Sequence, residues 1–280
     1  MSMNRFILGA VAVLITVGGL ALAAPAMAAS APPGNASYIV VLKAGSSASA
    51  NVANAAASAH ARYGAAVKHT YTHIFDGYAA TMTASDAKAL RADPSVSAVV
   101  PDGKIHAVGA PCTGPVCSVT PQVTTRGVRR IGGDLSSAKS GDGKGTVPVN
   151  VAVLDSGIQL DHPELTVKGG VDCAGDGNPT LGDVEGHGTI VSGVIGAQDN
   201  SFGVVGIVPG AHLWSVRVLD ANLDGTDSAI LCGLDWVAGT RMDNNSHNDI
   251  AVANTGATIE AQAGKGGLHY LDYLARTVAW

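Results

Sequence analysis

Apolar positions along this chain arrive in short runs separated by polar, glycine-rich breaks. "YIVVLK", residues 38–43, is a strand-type run. "ANVANAAASAHARYG" follows, alanine-rich and helix-prone, and stops at Gly64. "GYAATM" predicts a second strand at 77–82, and "SDAKALRAD" a short helix with Ser85 as its N-cap and Pro94 beyond its end. "SVSAVVPD" returns to strand. Residues 37–108 therefore read as a small α+β domain. Residues 109–127 turn to Gly, Pro, Cys and Thr, which is linker chemistry.

Beyond the linker the rhythm changes. "VPVNVAVLD" is a buried-type strand ending at Asp155, "HGTIVSGVIGA" is helical, and "AHLWSVRVLD" is strand. "DSAILCGLDWVAGT" is an amphipathic helix, and "DIAVAN" a further strand ending at Asn254. Strands alternating with helices predict an α/β domain over 128–254, built on a mostly parallel sheet with helices on both faces. In such sheets functional side chains gather at the carboxyl ends of strands. Asp155 and Asp220 occupy such ends, and nothing else marks Asp220.

The first residues are of another kind. Arg5 precedes a continuous apolar run from Ile7 to Ala24, and Ala26-Met27-Ala28 has the A-x-A form of a cleavage site. Residues 1–28 are read as a signal peptide in preference to a membrane anchor, so the mature chain is expected outside the cell and free of the membrane. The chain of 280 residues has 14% charged residues, 4% aromatics and a formal charge of −5. That balance argues against nucleic acid or an anionic membrane as partner. Cys112, Cys117, Cys173 and Cys232 are an even set in a chain read as exported. Their spacing does not choose among three pairings. The reading leans to Cys112–Cys117 and Cys173–Cys232, with free thiols as the alternative.

One histidine stands apart. In "VEGHGTIVSG", His187 lies between Gly186 and Gly188 at the start of a small-residue helix. A histidine acts as general base when a carboxylate fixes its other ring nitrogen. Asp155, at the end of a buried strand and followed by Ser156-Gly157, is the candidate. The glycines let backbone and substrate approach, Thr189 helps start the helix, and a helix N-terminus discourages a permanently charged ring. The other eight histidines are read as surface or satisfied core. The acidic stretch "VDCAGDGNPTLGDVEG" offers Asp172, Asp176, Asp183 and Glu185 as oxygen ligands. Its spacing fits no EF-hand loop, and solvated loop charge is the preferred reading.

Taken in order, "VAVLDSGI", "HPEL", "GHGTIVSGVIGA", "GVVGIVPGAHLWSVRVLD" and "GLDWV" resemble the subtilisin-like serine peptidases. Upstream, "YIVVLK", "FDGYAATM" and "DPSVSAVVPD" are similar to that family's inhibitory propeptide, a ferredoxin-like unit. The resemblance implies secreted endopeptidase activity on polypeptide substrates, with the propeptide as intramolecular inhibitor. It implies that Asp155 and His187 are the triad aspartate and histidine, and that "LDGT", Leu223–Thr226, lies near one side of the substrate cleft. It requires no cofactor for the chemistry; structural calcium is common in the family but is not locatable here.

The family pattern then stops. No Gly-Thr-Ser segment occurs in the sequence, and neither the Ser-Leu-Gly-Gly strand nor the oxyanion asparagine is found. Ile190 and Ser192 depart from common family residues. Ser156, Ser192 and Ser246 lack the frame of a nucleophile. Residues 255–280 read as a divergent tail, with Leu268, Leu271, Leu274 and Val278 at roughly helical spacing. The expectation is an inactive partial catalytic domain. The alternative is a non-catalytic secreted inhibitor or chaperone that uses the propeptide unit.

Overall fold

The computed structural model describes residues 34–43, 49–107 and 121–259. The signal-peptide run, Cys112 and Cys117, most of the linker and the helical spacing after Leu268 lie outside them. No helix among the described residues is long and apolar enough to cross a membrane.

The first unit runs β1 (Ala36–Leu42), α1 (Ser49–Tyr63), β2 (Ala66–Tyr71), β3 (Gly77–Met82), α2 (Ala84–Leu90) and β4 (Val96–Pro101). Its antiparallel sheet has the order β2-β3-β1-β4, the ferredoxin-like arrangement. "YIVVLK" does not alternate because both faces of β1 are covered. Tyr38, Val40 and Leu42 join the cluster with Val52, Ala59 and Leu90 from the two helices. Ile39 points the other way, into a second cluster with Tyr71, Ala79 and Leu231. Thr83, not Ser85, caps α2: its Oγ1 accepts from the Asp86 amide at 3.1 Å. The burial of Ala87 and Leu90 sets the helix phase and leaves Ser85 in its first turn. Strand β2 carries no alternating apolar pattern, since only Tyr71 is buried.

The second unit is a four-stranded parallel sheet of β6 (Asn150–Asp155), β7 (Thr166–Asp172), β8 (His212–Arg217) and β10 (Val252–Thr255), in the order β10-β6-β8-β7. Helix α3 (Arg126–Arg130) precedes it, and α4 (His187–Gly196) and α5 (Asp227–Thr240) cover its faces. The period-2 alternation of β6 divides the core. Ala152 and Leu154 pack with Val216, Ala229 and Ile230 on the α5 side. Val151 and Val153 pack with Leu213 and Ala197 on the α4 side. Each fully buried Val, Leu or Ile among them contributes about 1.5–3 kcal/mol. Continuing the alternation puts Asp155 on the α4 side.

Strand β7 was hidden in the sequence because it is half-buried and broken by glycines. Gly170 is required there: a Cβ would lie 1.7 Å from the Ser215 carbonyl oxygen. A third, antiparallel sheet joins the two units in the order β11-β5-β9, with β5 (Lys104–Ala107) between β9 (Asp224–Thr226) and β11 (Ala257–Ile259). Residues 257–259, which the sequence reading assigned to a divergent tail, are thus a strand paired with β5.

Cys173 and Cys232 form a disulfide, Cα–Cα 5.9 Å, joining the residue after β7 to α5. It closes a separation of 59 residues, which chain entropy values at about 4 kcal/mol. Cys232→Ser is expected to lower the unfolding free energy extrapolated from urea titration by an amount of that order, and an unchanged free energy would contradict it.

Candidate active site

Asp155 ends β6 with no exposed surface, and Ser156 donates its amide to Oδ1 at 2.7 Å. The Val218 amide donates to the Asp155 carbonyl at 2.8 Å, which fixes the strand end from β8. His187 opens α4 with its side chain 7% exposed. Its Nδ1 lies 2.8 Å from Oδ1 and 2.9 Å from Oδ2 of Asp155. A carboxylate accepts rather than donates, so Nδ1 carries the proton in this contact. The structure therefore brings the two sequence-marked residues together in a buried, bidentate contact.

Three glycines make this approach feasible. Gly186, at φ +116°, turns the chain into α4. A Cβ on Gly188 would lie 2.0 Å from the Gly157 carbonyl oxygen and 3.1 Å from the Asp155 Cβ. Gly188 thus serves the close backbone approach expected from the sequence, between the helix and the turn after the strand. Gly256, just before β11, overhangs the pair: a Cβ there would lie 3.0 Å from Asp155 Oδ2 and 3.3 Å from His187 Cε1.

The acidic stretch is solvated at residues 175–179 but is not loose. Asp172 and Asp176 face Arg217, whose guanidinium has no exposed surface and donates to both carboxylates and to the Asn178 and Thr180 carbonyls. Hydrogen bonds from Arg217 hold Asp176 down at about 2. Glu185 Oε2 accepts from the His187 amide at 3.0 Å, and Asp183 gathers the start of α4. Asp220 only closes a turn, accepting from the Asn222 and Asp224 amides. Ser156 Oγ accepts from the Gly188 amide and donates to Asp183. Ser192 is buried on α4, and Ser246 is exposed in a loop.

Strand β5 is held between β9 and β11 by antiparallel pairing on both sides. Ile105 is fully buried, packed over Gly225 and among Val218, Leu219 and Ile230. Around it the first unit seats on α5. Asp235 accepts from the amides of Thr72, His73 and Ile74 and faces His73 Nδ1 at 3.0 Å. Asp102 accepts from the Ser228 amide and hydroxyl. His73, and His106 facing Asp224, therefore have carboxylate partners that the sequence reading did not assign. Asp102, Asp227 and Asp235 were missed because each reads as an ordinary strand-end or helix acid until the two units meet.

Residues 145–269 match the subtilase family model, and residues 37–107 match the peptidase inhibitor I9 model. The chain belongs to the subtilase family, with an inhibitor I9 domain preceding the subtilase domain. It is similar to an alkaline protease of Alkalihalobacillus alcalophilus, 31% identical over 209 residues, covering 70% of this chain and 50% of that protein. It is also similar to subtilisin E of Bacillus subtilis (strain 168), 34% identical over 165 residues, covering 59% of this chain and 39% of the relative. Alkaline elastase YaB of Bacillus sp. (strain YaB) is 34% identical over 157 residues, 56% of this chain and 37% of the relative. The chain thus spans half or less of the length of these curated relatives.

Asp227 begins α5 with 5% exposure. Burial first, then the Asp102 charge, pushes its carboxyl up to about 6, against the Gly103 amide that donates to it. A raised acid pKa gives stability that is full below about 3.8 and is lost as pH rises through about 6. Asp227→Asn is therefore expected to flatten the fall in thermal stability between pH 4 and 7, by up to about 3 kcal/mol at neutral pH. An unchanged pH profile in thermal scans would contradict this.

Proposed function

We propose that this chain is the pro-form portion of a secreted subtilisin-like serine endopeptidase, in which Asp155 and His187 are the proton-handling members of an Asp/His/Ser triad. The observation that carries the reading is the buried contact of His187 Nδ1 with both Asp155 oxygens, together with an extended strand, β5, paired on both sides. In this reading Nε2 takes the proton of an attacking serine hydroxyl and returns it to the leaving amine, and Asp155 holds the tautomer and stabilises the imidazolium. Strands β9 and β11 bind a polypeptide by backbone pairing from both sides, as they bind β5. The pocket around Ile105 favours an apolar side chain. Residues 37–107 then act as the intramolecular inhibitor by laying β5 where substrate would lie. Export follows from the apolar run and A-x-A site at the N-terminus.

The 280-residue sequence contains no Gly-Thr-Ser segment. Removing the serine of such a triad costs about a million-fold in turnover, roughly 8 kcal/mol. A fluorophosphonate probe is expected to leave the purified chain unlabelled. Covalent labelling that His187→Ala abolishes would overturn the inactivity of this chain and identify a nucleophile elsewhere in it.

A structural calcium ion belongs to the same proposal, at a place the sequence reading did not locate. Glu164 is 6% exposed; its Oε1 accepts from Asn200 Nδ2 at 2.7 Å, and its Oε2 is buried with no hydrogen-bond partner among the described residues. Gln122 pairs with Asp199 and with the Asn200 amide in the adjoining loop, and Gly203 lies against Oε2. An orphaned buried carboxylate oxygen is costly, and a hard cation with amide and carbonyl ligands removes that cost. Among the described residues no three His, Cys, Asp or Glu side chains cluster for a metal, so Glu164 would act with neutral oxygens. Millimolar calcium is expected to raise the melting temperature by several degrees. Glu164→Gln should abolish that rise, and a rise that survives the substitution would exclude this site.

A further inference from the structure

Asp183 lies in the loop before α4, half-buried, and both of its oxygens are saturated with donors. Oδ1 accepts from the Ser156 hydroxyl at 2.8 Å, the Gly186 amide at 2.7 Å and the Glu185 amide at 3.1 Å. Oδ2 accepts from the Thr189 amide at 2.8 Å and the Thr189 hydroxyl at 2.5 Å. The donors come from two separate elements. Ser156 is the residue after Asp155, whereas Gly186 and Thr189 flank His187. One carboxylate thus grips the strand end that carries the acid and the helix start that carries the imidazole.

The hydroxyls are oriented toward it as donors. Ser156 Oγ accepts from the Gly188 amide and Thr189 Oγ1 from the Gln159 amide, and each donates its proton to Asp183. With the three backbone amides, five donors converge on this one acceptor. Burial pushes this carboxyl up, but the bonds from Thr189, Gly186 and Glu185 outweigh it and hold it below the ordinary range. It is therefore ionised at neutral pH. The backbone repeats the tie, with the Val184 amide donating to the Ser156 carbonyl at 3.2 Å and Ile158 to the Leu181 carbonyl at 3.3 Å.

We infer that Asp183 is a positioning residue for the proposed catalytic pair: it sets the separation of Asp155 from His187 by clamping β6 to the first turn of α4. The inference rests on the proposed role of that pair but does not need the serine to be tested. An asparagine at 183 presents an NH₂ group to donors on one side, so either the Ser156 side or the Thr189 side must open. With the carboxylate of Asp155 then less closely held to the ring, the imidazolium loses support and the pKa of His187 falls.

The experiment is an NMR titration of His187 in the folded 280-residue chain, followed through its ring carbon shifts, for wild type, Asp183→Asn, Ser156→Ala and Asp155→Asn. Asp155→Asn is expected to lower the His187 midpoint most, Asp183→Asn by about one pH unit, and Ser156→Ala by less in the same direction. A residue that only stabilises the fold would lower the melting temperature and leave the midpoint in place. Folded Asp183→Asn with an unmoved midpoint, while Asp155→Asn moves it, overturns the inference and leaves the pair standing. If Asp183→Asn does not fold, Ser156→Ala decides: a shift supports the clamp, and none overturns it. If Asp155→Asn itself leaves the midpoint unmoved, the pairing fails and the clamp has nothing to position.

Discussion

The structure depends on how closely the start of α4 can approach the end of β6. That approach brings a buried imidazole and a buried carboxylate into bidentate contact, and side chains at the crossing would forbid it. Gly188 faces the Gly157 carbonyl at a distance where no Cβ fits, and Gly157 stands in the same relation to the Gly182 carbonyl. Three segments are therefore stacked backbone to backbone at the carboxyl end of the sheet. Such packing costs conformational entropy in the unfolded chain. It is offset by the acceptors in the loop between β7 and α4, which satisfy the first amides of the helix and the turn after Asp155.

The loop is itself held by charge. Arg217, level with Asp155 and Asp172 in the registers of β8 with its neighbours, is buried and answered by two carboxylates and by backbone carbonyls. A buried guanidinium is tolerated only with that degree of pairing. The disulfide at Cys173 adds a covalent tie beside it. The acidic stretch thus works as scaffolding behind the candidate site, whose geometry depends on residues outside the Asp155–His187 pair.

Much of this was legible in the sequence. The runs that became β1, β6 and β8 are strongly apolar because each is covered on both faces, and the small-residue helix at His187 follows from its glycines. Asp155 and His187 stood out as a strand-end acid and a glycine-framed imidazole, and the ordered motifs around them, which resemble the subtilases, carried their pairing. What stayed hidden depends on partners far away in the chain. Strands β5, β9 and β11 are too short to carry a pattern and exist only by pairing with each other. Strand β2 shows one buried side chain because it lies at a sheet edge. Asp183 read as solvated loop charge and Glu164 was not singled out, since nothing local reveals that five donors converge on one and that the other is walled in. A signal for Asp183 did exist: an acid shortly before a helix start is the residue type that satisfies orphan amides.

The most direct measurement is the tautomer of the His187 ring at neutral pH, read from its two ring nitrogen shifts. A preformed Asp155–His187 pair predicts a single population with the proton on Nδ1, lost when Asp155 is replaced by alanine. A ring with its proton on Nε2, or a mixture indifferent to residue 155, would contradict it.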